Sequence, residues 1–173
     1  QLMERVFAAQ SQVRVSEDTV FLKKTSPSGG GLHPVEAYLT VRDVSDLPRG
    51  LYHYDPIDHA LRRLPDPGVA IDAPVLAALA GPDWLANAHA LAVMAPRYSR
   101  NFWKYRRHAK AYRAVLIEAG HLSQTLYLSA TEAGLAAYVT CAINESVLDD
   151  ALGLDPMHEG SLAICGFGWR GEN

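Results

Sequence analysis

The densest chemistry in the sequence lies in residues 97–113, RYSRNFWKYRRHAKAYR, which hold seven cationic and five aromatic side chains. Within this run Lys104 stands beside Tyr105. An ammonium next to a phenol lowers the cost of forming a phenolate, or lets one group relay a proton to the other. Adjacent residues on a helix point about 100° apart, so the two could address one substrate from different angles without touching. The run as a whole suits nucleic acid with stacking rings, a phosphate-bearing cofactor, or an acidic peptide. The plainer alternative is a solvated helix start whose aromatics turn toward the core. A second candidate is Ser26-Pro27-Ser28-Gly29-Gly30-Gly31. Three consecutive glycines permit positive φ and let the backbone approach a ligand closely. The same composition also suits a surface loop.

Other patterns carry less. Residues 166–171 (GFGWRG) spell G-x-G-x-x-G, but a dinucleotide site needs a helix after the glycines and an acid about 20 residues on. That context is missing. Among seven histidines, His53 and His59 flank one turn, without an H-E-x-x-H or paired-cysteine spacing, so they read as structural and no metal is expected. Neither Ser28 nor Cys141 has a local partner that marks a nucleophile, and Cys141, on an apolar strand, is expected to be packed.

Composition bounds the class. The 173 residues carry 16 Lys+Arg against 19 Asp+Glu, a net charge of -3, with 49% hydrophobic and 20% charged residues. This describes one soluble domain with a real core rather than a general nucleic-acid binder. Two cysteines fit reduced thiols in the cytoplasm. No apolar run approaches eighteen residues and no signal peptide is present, so no membrane partner is expected.

The elements that must position these groups alternate. Residues 1–9 read as the end of a helix, 11–24 as a loop or irregular strand, and 35–44 as a strand. Residues 50–54 and 60–64 form a hairpin about Asp55-Pro56. Short helices are expected at 74–80 and 83–87, and a buried strand at 90–95. From 109 to 134 apolar residues recur every three or four positions, giving a long central helix closed by Gly134. Residues 138–143 and 161–167 read as strands, with a helix at 145–152. The class is α+β with a mixed, mainly antiparallel sheet flanked by helices.

Four segments in fixed order carry a resemblance: TSPSGGGLHPVEAYL (25–39), GLYHYDPIDHAL (50–61), KYRRHAKAYRAVLIEAGHLSQTLYLSATEAGL (104–135) and ICGFG (164–168). Together they resemble the SagB-type peptide-maturation dehydrogenases of the FMN-dependent nitroreductase superfamily. The resemblance implies the nitroreductase-like fold, an FMN cofactor and a homodimer whose two subunits share each flavin pocket. It implies that Pro27, Ser28, Gly29 and Gly30 lie against the flavin, where a Cβ would intrude. The backbone of Thr140, Cys141 and Ala142 would run near its N5 edge, and Lys104 and Tyr105 would assist proton removal from a heterocycle. Arg170 is a candidate phosphate contact by charge and position.

The implied activity is maturation of a ribosomally made peptide, in its simplest form oxidation of azolines to azoles. A lysine base would need its pKa lowered, for which burial beside Arg106 or Arg107 is the expected device. Other peptide-modifying enzymes would be partners. Two alternatives remain: an NAD(P)H-dependent reductase of nitro compounds or dehydroamino acids with the same fold, and a flavin-less scaffold that binds peptide in a modification complex. The family's Arg/Ser-rich phosphate segment has no copy here, since Arg14-Val15-Ser16 is too late and isolated. A single domain over residues 1–173 lacking its N-terminal segment is therefore expected.

Overall fold

The computed structural model describes residues 1–65 and 73–171. Helix α1 (Leu2–Phe7) leads into strands β1 (Ala9–Ser16) and β2 (Thr19–Lys24), then a 3-10 turn at Gly29–Gly31. Strands β3 (Val35–Val41), β4 (Gly50–Asp55) and β5 (Ala60–Arg63) follow, then helix α2 (Ala73–Ala78), a 3-10 turn (Asp83–Asn87) and β6 (Ala90–Pro96). Helices α3 (Tyr98–Tyr105) and α4 (Ala111–Glu132), strand β7 (Ala136–Thr140), helix α5 (Glu145–Leu152) and β8 (Ala163–Gly168) complete the chain. The main sheet has six strands in the order β5-β4-β3-β6-β8-β7, and each pairing is antiparallel. The α+β expectation holds.

Alternation along the central strands divides the core in two, because successive side chains point to opposite faces. Val35, Ala37, Leu39 and Val41 of β3 and Ala90, Ala92 and Met94 of β6 pack with α1 and with Ala119, Leu122 and Leu126 of α4. Tyr38, Leu91, Val93 and Ala95 face the other way, against Val75 of α2 and Leu148 of α5. Strand β6 is buried on both faces, which is why its sequence is apolar throughout. Helix α4 ends in a Schellman motif: Leu135 N–H reaches Ala130 O at 2.8 Å, Gly134 N–H reaches Thr131 O at 3.1 Å, and Gly134 takes φ +74°.

Several expectations need correction. Of the two readings of residues 11–24, strand holds over loop, but as two strands rather than one: they form most of the antiparallel hairpin β1–β2, with register irregularities. Its mostly exposed, polar-rich strands hide the usual period-two signal. Most of the basic run folds as a separate helix, α3, and only its last residues enter α4. Its aromatics do not turn to the core: Phe102, Trp103 and Tyr112 (the last on α4) are exposed, and Tyr98 and Tyr105 are half-buried. Strand β7 begins and ends earlier than 138–143, leaving Cys141 beyond it and exposed instead of packed. Among the described residues no helix is long and apolar enough to cross a membrane.

Candidate active site

One stripe of α4 reads the glycine turn residue by residue. A Cβ built on Gly29 would come 2.8 Å from Ala114 Cβ. One turn further along, the Ser28 hydroxyl donates to the Glu118 carboxyl. His121 Nδ1 lies 3.1 Å from Pro27 O, as in the tautomer that donates to it, and Ser26 Oγ and Thr125 Oγ1 are 2.7 Å apart. Positions 114, 118, 121 and 125 share a helical face, so the segment 26–29 runs along α4 in a fixed register. Ser28 Oγ also accepts the His33 N–H at 2.9 Å. Gly30, Gly31 and His33 adopt φ of +70°, +68° and +47°, a conformation that glycine supplies most cheaply.

Helix α3 brings the reactive pair to the same place. Lys104 Nζ donates to Gly30 O at 3.3 Å. A Cβ on Gly30 would lie 2.5 Å from Tyr105 Oη and 3.1 Å from Lys104 Nζ. The missing methyl at Gly30 thus makes room for the lysine and tyrosine tips. Lys104 Nζ also sits 5.9 Å from the centroids of both Phe21 and Tyr105. Lys104 is exposed, not buried beside Arg106 and Arg107 as expected, and both arginines are exposed as well.

The other end of α3 is fastened by charge. Glu36, buried on β3, takes His53 Nε2 at 2.9 Å and Arg100 NH2 at 2.6 Å, with Arg97 Nε at 3.9 Å. Arg97 Nε pairs with Glu159 at 2.5 Å, which also accepts the Tyr38 hydroxyl at 2.7 Å. Burial alone would raise the Glu36 carboxyl, but the His53 hydrogen bond and the two guanidiniums outweigh it and hold it at about 2. Burial, with Lys24, Lys23 and Arg100 nearby, lowers His33 to about 4. Burial pushes Glu118 up, against the Ser28 and Val35 hydrogen bonds and the Lys24 and His121 charges. A cleft of about 740 Å³ opens beside this corner, between the hairpin residues Val20 and Phe21 and Arg100 and Trp103 of α3.

The structure therefore joins Pro27, Ser28, Gly29 and Gly30 with Lys104 and Tyr105. It does not bring Thr140, Cys141, Ala142 or Arg170 to them. Strand β7 is three strands from β3, roughly 14 Å at the usual strand spacing. There Thr140 Oγ1 accepts the Ala142 N–H at 3.0 Å. Arg170 follows the end of β8 that pairs with Ala90, whereas the turn precedes the opposite end of β3, at Val35 opposite Pro96. It lines a separate pocket with Trp84, His89 and Trp169. Sequence reasoning missed Glu36, Arg100 and Glu118. A signal for Glu118 was present, because it falls three residues after Val115 and four before Leu122, inside the buried stripe.

Comparison with known proteins accords with this architecture. The chain is 29% identical over 144 residues to the trifolitoxin-processing protein TfxB of Rhizobium leguminosarum bv. trifolii, covering 82% of this chain and 38% of that protein. It is 34% identical over 129 residues to MJ1384 of Methanocaldococcus jannaschii, designated a nitroreductase by name, covering 75% of this chain and 63% of that protein. Among solved structures, the E. coli microcin synthetase McbBCD complex with truncated pro-MccB17 bound aligns at a TM-score of 0.77 and 26% identity, covering 99% of this chain and 62% of the matched chain. The chain spans less than two thirds of the length of both curated relatives. The nitroreductase family matches residues 1–169, and the chain belongs to that family.

Proposed function

We propose that this domain is an FMN-dependent dehydrogenase in the maturation of a ribosomally made peptide, acting on azolines to give azoles. The observation that carries the reading is the convergence of Lys104 and Tyr105 on Gly30 of the Pro27–Gly30 turn. The residues present fit a flavin. The glycines let Ala114, Tyr105 and Lys104 close directly on the backbone of Gly29 and Gly30, and the Ser28 hydroxyl, its proton given to Glu118, can only accept a further hydrogen bond. FMN, when bound, supplies the two-electron acceptor for the hydride that leaves the substrate carbon. The chain's own task is the proton: the neutral Lys104 amine would take it from the ring carbon with the Tyr105 hydroxyl beside it as the relay, and the carbonyl of Gly30 would hold the ammonium that results.

In this reading Thr140, Cys141 and Ala142 flank the reactive edge and Arg170 meets the phosphate. Their distance from the turn in one chain favours a homodimer in which two copies complete each site. Exposed Tyr112, Leu116, Ile117 and Leu128 on α4 offer the apolar face for it. The likeness to the McbBCD complex supports a peptide substrate and other modifying enzymes as partners, with the reaction in the cytoplasm.

Purified protein should be yellow, absorb near about 450 nm and take up added FMN. Colourless protein that refuses FMN overturns the reading in favour of a scaffold. Lys104→Ala and Tyr105→Phe should each abolish product formation with FMN still bound. Relatedness to MJ1384 favours one second reading, an NAD(P)H-dependent reductase of nitro compounds or dehydroamino acids. Rapid anaerobic bleaching by NAD(P)H would select it.

A further inference from the structure

Glu118 is only 2% exposed, yet it lies in the middle of a helix whose other inward residues are small or apolar. A leucine would pack there without any cost of desolvation. What the carboxyl does instead is accept the hydroxyl of Ser28, at the head of the segment that carries the glycines. Ser28 in turn accepts the His33 N–H, so one buried acid sets the hydroxyl that closes the loop on itself. The neighbouring contacts at Ala114, His121 and Thr125 fix position along the helix, whereas Glu118 holds the one hydroxyl among them that also bonds His33 across the turn.

We propose that Glu118 is the positioning residue of the glycine turn: acting through Ser28, it holds residues 28–33 in the shape that receives FMN and keeps Gly30 beneath Lys104 and Tyr105. This rests on the flavin reading above, and the test separates the two. Hydrogen exchange of the flavin-free protein reads the turn alone, and an FMN titration followed by flavin fluorescence reads binding. In Glu118→Met, amides of residues 28–33 should exchange about tenfold faster while β3 and β6 stay protected. The same variant should bind FMN about tenfold more weakly. Glu118→Gln keeps an acceptor oxygen for the Ser28 hydroxyl and should restore both readouts to near wild type.

Ser28→Ala should reproduce the Glu118→Met losses, and combining the two should add little, as expected for residues acting as one unit. Additive losses in the double variant, or unchanged exchange in Glu118→Met, overturn the proposal. Should Glu118→Met fail to fold, Ser28→Ala decides by the amides its hydroxyl does not bond: exchange of residues 29–32 as in wild type defeats the idea, and their faster exchange supports it. A wild-type protein that takes up no FMN would sink the flavin reading, while the exchange results would still decide the role of Glu118.

Discussion

The two ends of helix α3 are built on opposite principles. Its start is tied by Arg97 and Arg100 to Glu36 and Glu159, with His53 and Tyr38 closing the network from neighbouring strands. Arg100 also donates to His33 O at 3.0 Å. Its finish presents Lys104, held by a single 3.3 Å hydrogen bond to Gly30 O. The anchored end spends charge on position; the free end leaves the Lys104 amine in no ion pair among the described residues. A proton-handling group needs both, because it must be placed within reach of its substrate yet not be locked into a permanent ion pair.

The sharpest way to break this contrast is to cut the anchor. Glu36→Ala strands Arg100 and His53 around an absent carboxylate and leaves Arg97 paired with Glu159 alone. Removing one partner of a buried pair costs about 3–5 kcal/mol. Here the guanidiniums keep 41% and 37% of their side-chain surface in water, so a loss of about 3 kcal/mol is expected, at the low end of that range. Urea denaturation measures it, and a loss below about 1 kcal/mol would show that the network is ornamental.

Acid should loosen the same region in two stages. His33 is held down to about 4 from an ordinary value of 6.5. Between those values the unfolded chain binds a proton that the native chain refuses, so stability is full above pH 6.5 and falls as pH drops toward 4. The expected loss is on the order of 2 kcal/mol. Below 4.5 Glu36 continues the decline, because it stays ionised in the native state down to about 2. Denaturation curves at pH 7, about 4.5 and about 3 test this, and His33→Gln should flatten the first stage while leaving the second.

These partners explain what was legible in the sequence and what was not. The PSGG-x-x-HP-x-E segment and GLYHYD could be recognised as text, but the reason they travel together is tertiary. Tyr38 is opposite His53 in the β3–β4 register, which puts His53 diagonal to Glu36 and within its reach. The sheet, the long helix and its glycine stop followed from periodicity, because burial on one face leaves a repeating pattern. Helix α3 did not, since its rings at Tyr98, Phe102 and Tyr105 keep helical spacing but stand partly exposed among charges, which hides the element's bounds. The hairpin β1–β2 was blurred in the same way, by strands that are mostly exposed. Glu36 and Glu118 are charges hidden at core positions, and a pattern of apolar residues is blind to them until packing reveals their partners.

At the turn itself Gly30→Ala should cost roughly 1–2 kcal/mol, from the left-handed backbone and from the methyl meeting the Tyr105 hydroxyl. Tyr105→Phe in that background removes the colliding oxygen and should recover part of the loss. If Gly30→Ala is silent, Tyr105 does not rest on the glycine and the corner is looser than its geometry implies.

The smallest effect on stability belongs to Lys104→Ala. The side chain is exposed, its one hydrogen bond is long, and exposed polar contacts of this kind contribute less than about 0.5 kcal/mol. A stability change that small, set against the loss from Glu36→Ala, would separate placement from chemistry along one eight-residue helix. A Lys104→Ala loss as large as that of Glu36→Ala would erase the distinction. Lys104 would then be one more anchor of α3, and Tyr105 alone would remain as the proton-handling group at Gly30.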